Sequence, residues 1–102
     1  MSGAKYWIWL ATRKNLHKAA ALGLVDAFGS PAEVYFAAAS QYADAVKLSP
    51  RDIEALRDKD MDEPERIMSR CDEENITIIT YQDSAYPERL RNIYDPPLVL
   101  YV

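Results

Sequence analysis

The sequence predicts a mainly helical chain that ends in the opening of an α/β unit. Signals for helix starts recur through the first three quarters of its 102 residues. After residue 75 the composition changes, and two short apolar runs follow. Because these runs lack polar alternation, they favour strands that are buried on both faces. We expect four or five helices to form the self-sufficient part and residues 76–102 to begin the α/β unit.

The composition is that of one small domain. A chain of this size buries about two-thirds of its unfolded surface, which is enough for a modest core. Its single cysteine, Cys71, allows no internal disulfide, and together with the single histidine, His17, it cannot supply the four ligands of a zinc site. This usage suits a reducing cytoplasm. The first apolar run, residues 6–11, is too short for a signal peptide or a membrane span, so we expect a cytoplasmic protein without membrane contact.

Charge is distributed unevenly along the chain, whose net charge is −4. Residues 1–25 carry four bases and no acid, whereas residues 52–74 carry ten acids against four bases. A basic face beside an acidic body is one footprint of a phosphate-binding surface. From the charges alone, the preferred interpretation is a solvated face on a small domain. The net negative charge argues against a dedicated nucleic-acid clamp.

The first two elements are predicted with unequal clarity. Residues 6–11 form too short a run for periodicity to separate a buried helix from a strand. The next segment predicts a helix with Asn15 as its cap and Gly29 at its C-terminal end, where a glycine is favoured. The apolar face of this helix comprises Leu16, Ala20, Gly23 or Leu24, Ala27 and Phe28.

Two Ser-Pro motifs predict the next two helix starts. The motifs cover Ser30–Val34 and Ser49–Ile53, and each places an acid three residues after the serine. This is the capping-box arrangement with proline at the first helical position, so helices should begin near residues 31 and 50. Glutamate is the preferred acid of such a box, which predicts the Ser30 box to be the stronger one.

A further helix is predicted between Asp62 and Asn75. Asp62 is predicted as its cap, Pro64 lies in its first turn, and Asn75 is predicted as its terminator. A narrow apolar face comprises Ile67, Met68 and Cys71.

The C-terminal part predicts two strands around a short helix. Residues 76–80 are β-branched throughout, and residues 98–102 are apolar. The helix between them places Leu90 and Ile93 inward and is ended by the Asp95-Pro96-Pro97 stop. Because about 17 residues and a helix separate the two runs, we predict neighbouring strands of a parallel, fully buried sheet. Whether they pair with each other or across a dimer stays open.

The sequence offers no recognisable catalytic set. His17 has no nucleophile near it in a helical run, and Cys71 is most simply a small core residue. Three glycines cannot build a phosphate-binding loop. We therefore predict no catalytic, cofactor-binding or metal-binding residues, and no enzyme activity.

Several aromatic residues precede residue 45, and they allow two interpretations. Aromatic rings can stack on the bases of single strands. At helical spacing they belong more often to a core, and we predict the core for Trp7, Trp9, Tyr35, Phe36 and Tyr42.

The stretch YPERLRNIYDPPLVLYV, residues 86–102, resembles the signature that opens the Rossmann-like domain of the DNA-processing protein A family (DprA, also called Smf). The matching residues are Tyr86, Pro87, Leu90, Ile93, Asp95, Pro96, Pro97, Leu98, Leu100 and Tyr101. Upstream, FGSPAEVYFA, residues 28–37, resembles the hairpin between helices of the family's SAM-like or helix-hairpin-helix bundle. The resemblance implies such a bundle at residues 1–74 and the opening of a truncated Rossmann-like domain at residues 75–102. It also favours a helix over a strand at residues 5–11.

The resemblance also implies a function. Members of the family are bacterial proteins that bind incoming single-stranded DNA in natural transformation, protect it and help to load the RecA recombinase, with no accepted turnover and no cofactor. Their main DNA-binding and dimerising surfaces lie after the region matched here, so we expect this chain to be an N-terminal fragment. For the signature itself, we predict that Tyr86 packs under the Asp95-Pro96-Pro97 turn as a structural clasp.

The chain departs from the family at one place that bears on DNA. Family members carry a Pro-Gly-rich hairpin between the first two helices, whereas this chain has TRKNLHK. A phosphate contact here would rest on the side chains of Arg13, Lys14 and Lys18. Two roles stay open for the bundle: an accessory DNA contact, or a docking unit for a regulator or a second copy. The alternative is an independent small regulatory domain without a role in transformation.

Overall fold

The computed structural model describes residues 4–14, 16–38, 40–42, 48–93 and 96–102. Within them the chain is mainly helical with a small two-stranded sheet, which confirms the coarse fold class. The elements in chain order are α1 (Ala4–Ala11), α2 (Lys18–Phe28), α3 (Pro31–Phe36), α4 (Pro50–Arg57), α5 (Asp62–Glu73), β1 (Ile78–Thr80), α6 (Glu88–Arg91) and β2 (Val99–Tyr101). Residues 40–42 are also helical. None of the helices in these ranges has both the length and the apolar character needed to cross a bilayer.

Helix α1 lies at the centre of the fold. Four consecutive residues near its C-terminal end, Trp7 to Leu10, are buried. A helix that is apolar on every side belongs inside a protein, and α1 packs against α2, α3, α5 and both strands. The choice between helix and strand for residues 6–11 is thereby decided in favour of the helix. The other buried apolar residues of this core are Ala21, Leu24, Val25, Val34, Tyr42, Leu56, Leu98 and Val99.

Helix α2 begins later than the sequence predicts. Its cap is His17, and the predicted cap, Asn15, lies outside the described residues. The predicted apolar face is confirmed in part: Leu24 is buried, and Leu16 and Phe28 pack half-buried against the core, whereas Ala27 is exposed. The end of the helix is as predicted: Gly29 has a φ of 98°, and its N–H donates to the Val25 carbonyl at 2.7 Å. The buried residues are Ala21, Leu24 and Val25.

Helices α3 and α4 both begin at the proline of their motifs, as predicted, but the expected ranking of the two caps is wrong. Among the described contacts α3 shows one half of a box, in which Glu33 N donates to Ser30 Oγ at 3.3 Å. The α4 box is complete: Asp52 N donates to Ser49 Oγ at 3.2 Å, and Ser49 N donates to Asp52 Oδ2 at 3.1 Å. The shorter aspartate stays close to the backbone and is buried, whereas Glu33 is exposed.

Helix α5 starts one residue earlier than predicted. Met61 is its cap, so Asp62 is the first helical residue instead of the cap, and Pro64 lies in the first turn. Asn75 follows the end of the helix with a φ of 57°, the left-handed conformation that asparagine tolerates, which confirms it as the terminator. Cys71 is buried, as predicted.

The two strands pair antiparallel, so the predicted parallel arrangement is wrong. The register joins Ile78 to Tyr101, Ile79 to Leu100 and Thr80 to Val99. A parallel pair requires a crossover of a dozen or more residues, usually an α-helix. The link, residues 81–98, is long enough for a crossover, but its helix α6 has only 4 residues, and the chain returns antiparallel. The sheet is also not fully buried, because Tyr101 is 47% exposed.

Burial around α6 departs from the prediction at one residue. Leu90 is half-buried, but Ile93 is 48% exposed instead of facing inward. The helix ends at Arg91, so helical spacing no longer fixes the direction of Ile93.

Candidate nucleic-acid interface

The turn between α1 and α2, which carries the predicted phosphate ligands, is fastened to the start of α4. His17 N donates to Asp52 Oδ1 at 3.2 Å, and His17 Nδ1 lies 3.1 Å from the same oxygen. Burial would raise the pKa of Asp52, but the hydrogen bonds from Ser49 and His17 outweigh it and hold this pKa below its ordinary value. Sequence reasoning missed this contact because its partners are 35 positions apart.

Arg13 is committed to contacts inside the molecule. Its side chain is 6% exposed, and Nη1 donates to the Asp58 carbonyl at 2.7 Å and pairs with Asp58 Oδ2 at 3.0 Å. Nε donates to the Trp9 carbonyl at 2.9 Å, and the guanidinium lies 5.5 Å from the centre of the Trp9 ring. The hydrogen bond from Asp60 N and the charge of Arg13 lower the pKa of Asp58. Arg13 therefore joins the end of α1 to the segment after α4.

Lys14 and Arg51 line a groove of about 440 Å³ between the end of α1 and helix α4. Arg51 is a base in the first turn of a helix, where acids are favoured, and this is the signal that could have singled it out in the sequence. Lys18 is exposed at the start of α2 and does not line the groove. The remaining lining residues are Thr12, Arg13, Glu54, Ala55, Asp58 and Glu63, so three bases face three acids.

Lys59 occupies a cage of three aromatic rings beside α1. Its Nζ lies 4.9 Å from the ring centre of Trp9, 5.1 Å from that of Tyr35 and 5.4 Å from that of Tyr42. The same nitrogen donates to the Tyr35 carbonyl and to Tyr42 Oη, each at 2.8 Å. Burial, and to a smaller extent the charge of Arg13, lowers the pKa of Lys59. The cage thus ties the segment after α4 to α1 and α3.

An aromatic cluster, defined as Tyr6, Tyr35 and Phe36, continues from this cage to the surface. The Tyr6 ring centre lies 5.2 Å from that of Tyr35 and 5.7 Å from that of Phe36, and the last two are 5.1 Å apart. Lys5 Nζ lies 5.4 Å from the Tyr6 ring centre. Phe36 is 71% exposed, so its predicted place in the core is wrong. The prediction is confirmed for Trp7, Trp9 and Tyr42.

Residues of the C-terminal signature contact one another. Tyr86 is 2% exposed, and its Oη donates to the Pro97 carbonyl at 2.7 Å, which is the contact expected of a clasp. Burial, followed by the proximity of Tyr81, raises the pKa of Tyr86. Pro96 is also buried, and Asp95 lies outside the described residues.

Arg91 reinforces this region. Its Nη2 donates to the carbonyls of Tyr81 at 2.8 Å and Asp83 at 2.9 Å. The guanidinium lies 5.2 Å from the Tyr86 ring centre. Pro87, the exposed cap residue of α6, opens the four-residue helix that carries Arg91. The link between the two strands is therefore held by side-chain contacts to its own backbone.

No group of three or more His, Cys, Asp or Glu side chains in the described ranges is placed to hold a metal ion. Comparison with models of protein families, with curated proteins and with solved structures gave no match for this chain. A functional proposal therefore rests on the geometry above and on the resemblance carried by residues 86–102.

Proposed function

We propose that this chain is the N-terminal module of a DprA-like protein that binds single-stranded DNA, protects it and helps to load RecA. The observation that supports this proposal is the hydrogen bond from Tyr86 Oη to the Pro97 carbonyl, 2.7 Å long. It joins the tyrosine that opens the matched stretch to the second of its two consecutive prolines, and it gives a physical reason for a tyrosine at this spacing. In the family the main DNA surface lies further along the chain, so the contribution of this module is accessory.

Within this proposal, Lys14 and Arg51 contact the phosphate backbone. They come from different elements and line the same groove, and Lys18 adds charge at the start of α2. Arg13 supports them from inside, because its ion pair with Asp58 fixes the end of α1. Three acids line the same groove, so the contact is weak. Because the contact is electrostatic, its affinity falls strongly as the salt concentration rises.

The test is a titration of the intact chain with a fluorescently labelled oligothymidylate at several salt concentrations. We expect the double variant Lys14→Glu/Arg51→Glu to bind more weakly. Removal of two phosphate contacts should reduce the slope of log affinity against log salt by about 1.4. The matched control is Arg66→Glu/Arg89→Glu, which changes the charge equally at two exposed residues outside this groove.

Two results would contradict the proposed contact. One is an absence of binding by the unaltered chain at low salt. The other is an equal loss of affinity in the groove variant and in its control, since net charge alone would then explain the binding.

A second candidate function is a small protein-interaction domain, which a groove of about 820 Å³ beside α5 favours. Acidic side chains of α5 outnumber basic ones along it, and the exposed Tyr101 of β2 lies at its edge. Such a groove suits a basic partner. The test is calorimetric titration with a lysine- and arginine-rich peptide. This function is favoured if the peptide binds the chain, if Glu63→Lys/Glu65→Lys abolishes that binding, and if the chain binds no oligonucleotide. The charged lining residues are Asp62, Glu63, Glu65, Arg66, Arg70 and Glu73.

A further inference from the structure

We propose that the aromatic cluster of Tyr6, Tyr35 and Phe36 is a platform on which the bases of single-stranded nucleic acid stack. This inference rests on the proposed function. The groove lined by Lys14 and Arg51 contacts the phosphates, and the aromatic cluster contacts the bases. The cluster also adds a property that a phosphate contact does not supply, which is preference for unpaired strands.

The exposure of Phe36 is the first observation that supports the platform. This residue ends α3 and is 71% exposed, whereas the neighbouring aromatic residues of α1 and α3 are at least partly buried. Its ring centre lies 5.1 Å from that of Tyr35 and 5.7 Å from that of Tyr6, so the exposed ring continues into two others. A contiguous apolar surface of this kind marks a binding site more often than a lone exposed side chain does.

Contacts with Lys59 and Trp9 also hold the cluster in place. Tyr35 Oη donates to the Lys59 carbonyl at 2.8 Å, and the Tyr35 carbonyl accepts from Lys59 Nζ at 2.8 Å. The Tyr35 ring meets the buried Trp9 edge-on, at 5.0 Å and 87°. Because Tyr35 is fixed before any ligand arrives, stacking on this surface costs little additional ordering.

Charge favours nucleic acid as the occupant. Lys5 Nζ lies 5.4 Å from the Tyr6 ring centre, and the sequence contains no acid from residue 4 to residue 25. Glu33 is exposed on α3 and disfavours a phosphate path along that helix. A phosphate next to a stacked base is therefore favoured on the side of the cluster that carries Lys5.

The experiment compares three ligands of equal length: labelled oligothymidylate, its abasic counterpart with the same phosphates, and a duplex. One stacked base contributes at least about a fivefold gain in affinity. We therefore expect the intact chain to bind oligothymidylate at least about fivefold more tightly than the abasic strand. Phe36→Ala should abolish this difference, and Phe36→Trp should retain it. Ile93→Ala, which truncates an apolar side chain that is 48% exposed on another element, should leave the difference unchanged.

The outcomes separate the platform from the phosphate contact. If the intact chain binds the abasic strand as tightly as oligothymidylate and Lys14→Glu/Arg51→Glu weakens both, the platform is wrong and the proposed function stands. If none of the three ligands binds, both proposals fail. If the chain instead self-associates in sedimentation and Phe36→Ala alone abolishes this, the cluster is an interface between copies and the platform is wrong.

Discussion

Lys59 shows how one partly buried cation can join three elements. Its ammonium group faces the rings of Trp9, Tyr35 and Tyr42 and donates two hydrogen bonds, so part of its lost hydration is replaced by protein contacts. Tyr42 Oη also donates to the Val34 carbonyl at 2.7 Å, which links the cation to the buried part of α3.

We expect Lys59→Met to lower the free energy of unfolding by about 1–3 kcal/mol, because it keeps the apolar stem and removes both donors. The matched control is Lys14→Met at an exposed position, for which we expect a change within about 0.5 kcal/mol. Urea denaturation followed by tryptophan fluorescence measures both. Equal midpoints for the two variants would show that the cage contributes nothing to stability.

Single residues also show where prediction from the sequence stops. Arg13 looks like a phosphate ligand in TRKNLHK, yet its guanidinium pairs with Asp58, which lies 45 positions away. Phe36 has the spacing of a core residue, but α3 ends at this residue and leaves its ring outside. Both outcomes depend on distant partners that a local pattern does not contain.

At the scale of elements, the start of α4 combines a cap with a long-range contact. Asp52 accepts hydrogen bonds from Ser49 within the capping box and from His17 at the start of α2. One carboxylate therefore fixes both the beginning of α4 and the beginning of α2.

We expect Asp52→Asn to cost about 1–2 kcal/mol of unfolding free energy at pH 7. The pKa of Asp52 is lowered in the folded state, so its contribution is complete above 3.8, the ordinary value, and is lost as the pH falls through the lowered folded pKa. The difference between the unaltered chain and Asp52→Asn should therefore shrink on acidification below 3.8. Urea denaturation across this pH range measures it.

The control for this prediction is Glu33→Gln, the corresponding acid of the α3 box. It lacks the reciprocal bond among the described contacts, so we expect a change within about 0.5 kcal/mol. A difference for Asp52→Asn that is constant with pH would show that the carboxylate charge is not what stabilises this junction.

The helix starts were predictable because their causes are local. A serine, a proline and an acid within four residues are sufficient to begin α3 and α4 at Pro31 and Pro50. The relative strength of the two capping boxes was not predictable, because it depends on whether the acid of each box is buried. Asp52 is also held by the His17 N–H, which donates to its carboxylate from outside the motif.

At the scale of the whole molecule, the strands and the helices share one core. Leu98 and Val99 belong to the same cluster of buried residues as Trp7 and Trp9. The direction of the strands could not be read from their composition, since apolar runs suit both parallel and antiparallel pairs. The direction of β2 depends on the link between the strands. In this link α6 has only 4 residues, and the Arg91 side chain donates to the Tyr81 carbonyl.

We expect Tyr86→Phe to destabilise the sheet, because it removes the donor to the Pro97 carbonyl and costs about 0.5–1.5 kcal/mol. Hydrogen exchange should accelerate at the Thr77, Tyr81 and Val102 amides, which bond across the strand pair. Tyr101→Phe, at a tyrosine that is 47% exposed, serves as the control. Unchanged protection of these amides in Tyr86→Phe would contradict the clasp.

The central position of α1 has a consequence for synthesis on the ribosome. This helix is made before the surfaces that cover it, which include α5 and both strands. The indole of Trp9 donates to the carbonyl of Asp58, which is 49 positions later. The nascent chain therefore exposes both tryptophans of α1 until α5 and the strands have emerged. In this period chaperones and neighbouring nascent chains compete with α5 and the strands for the same surface.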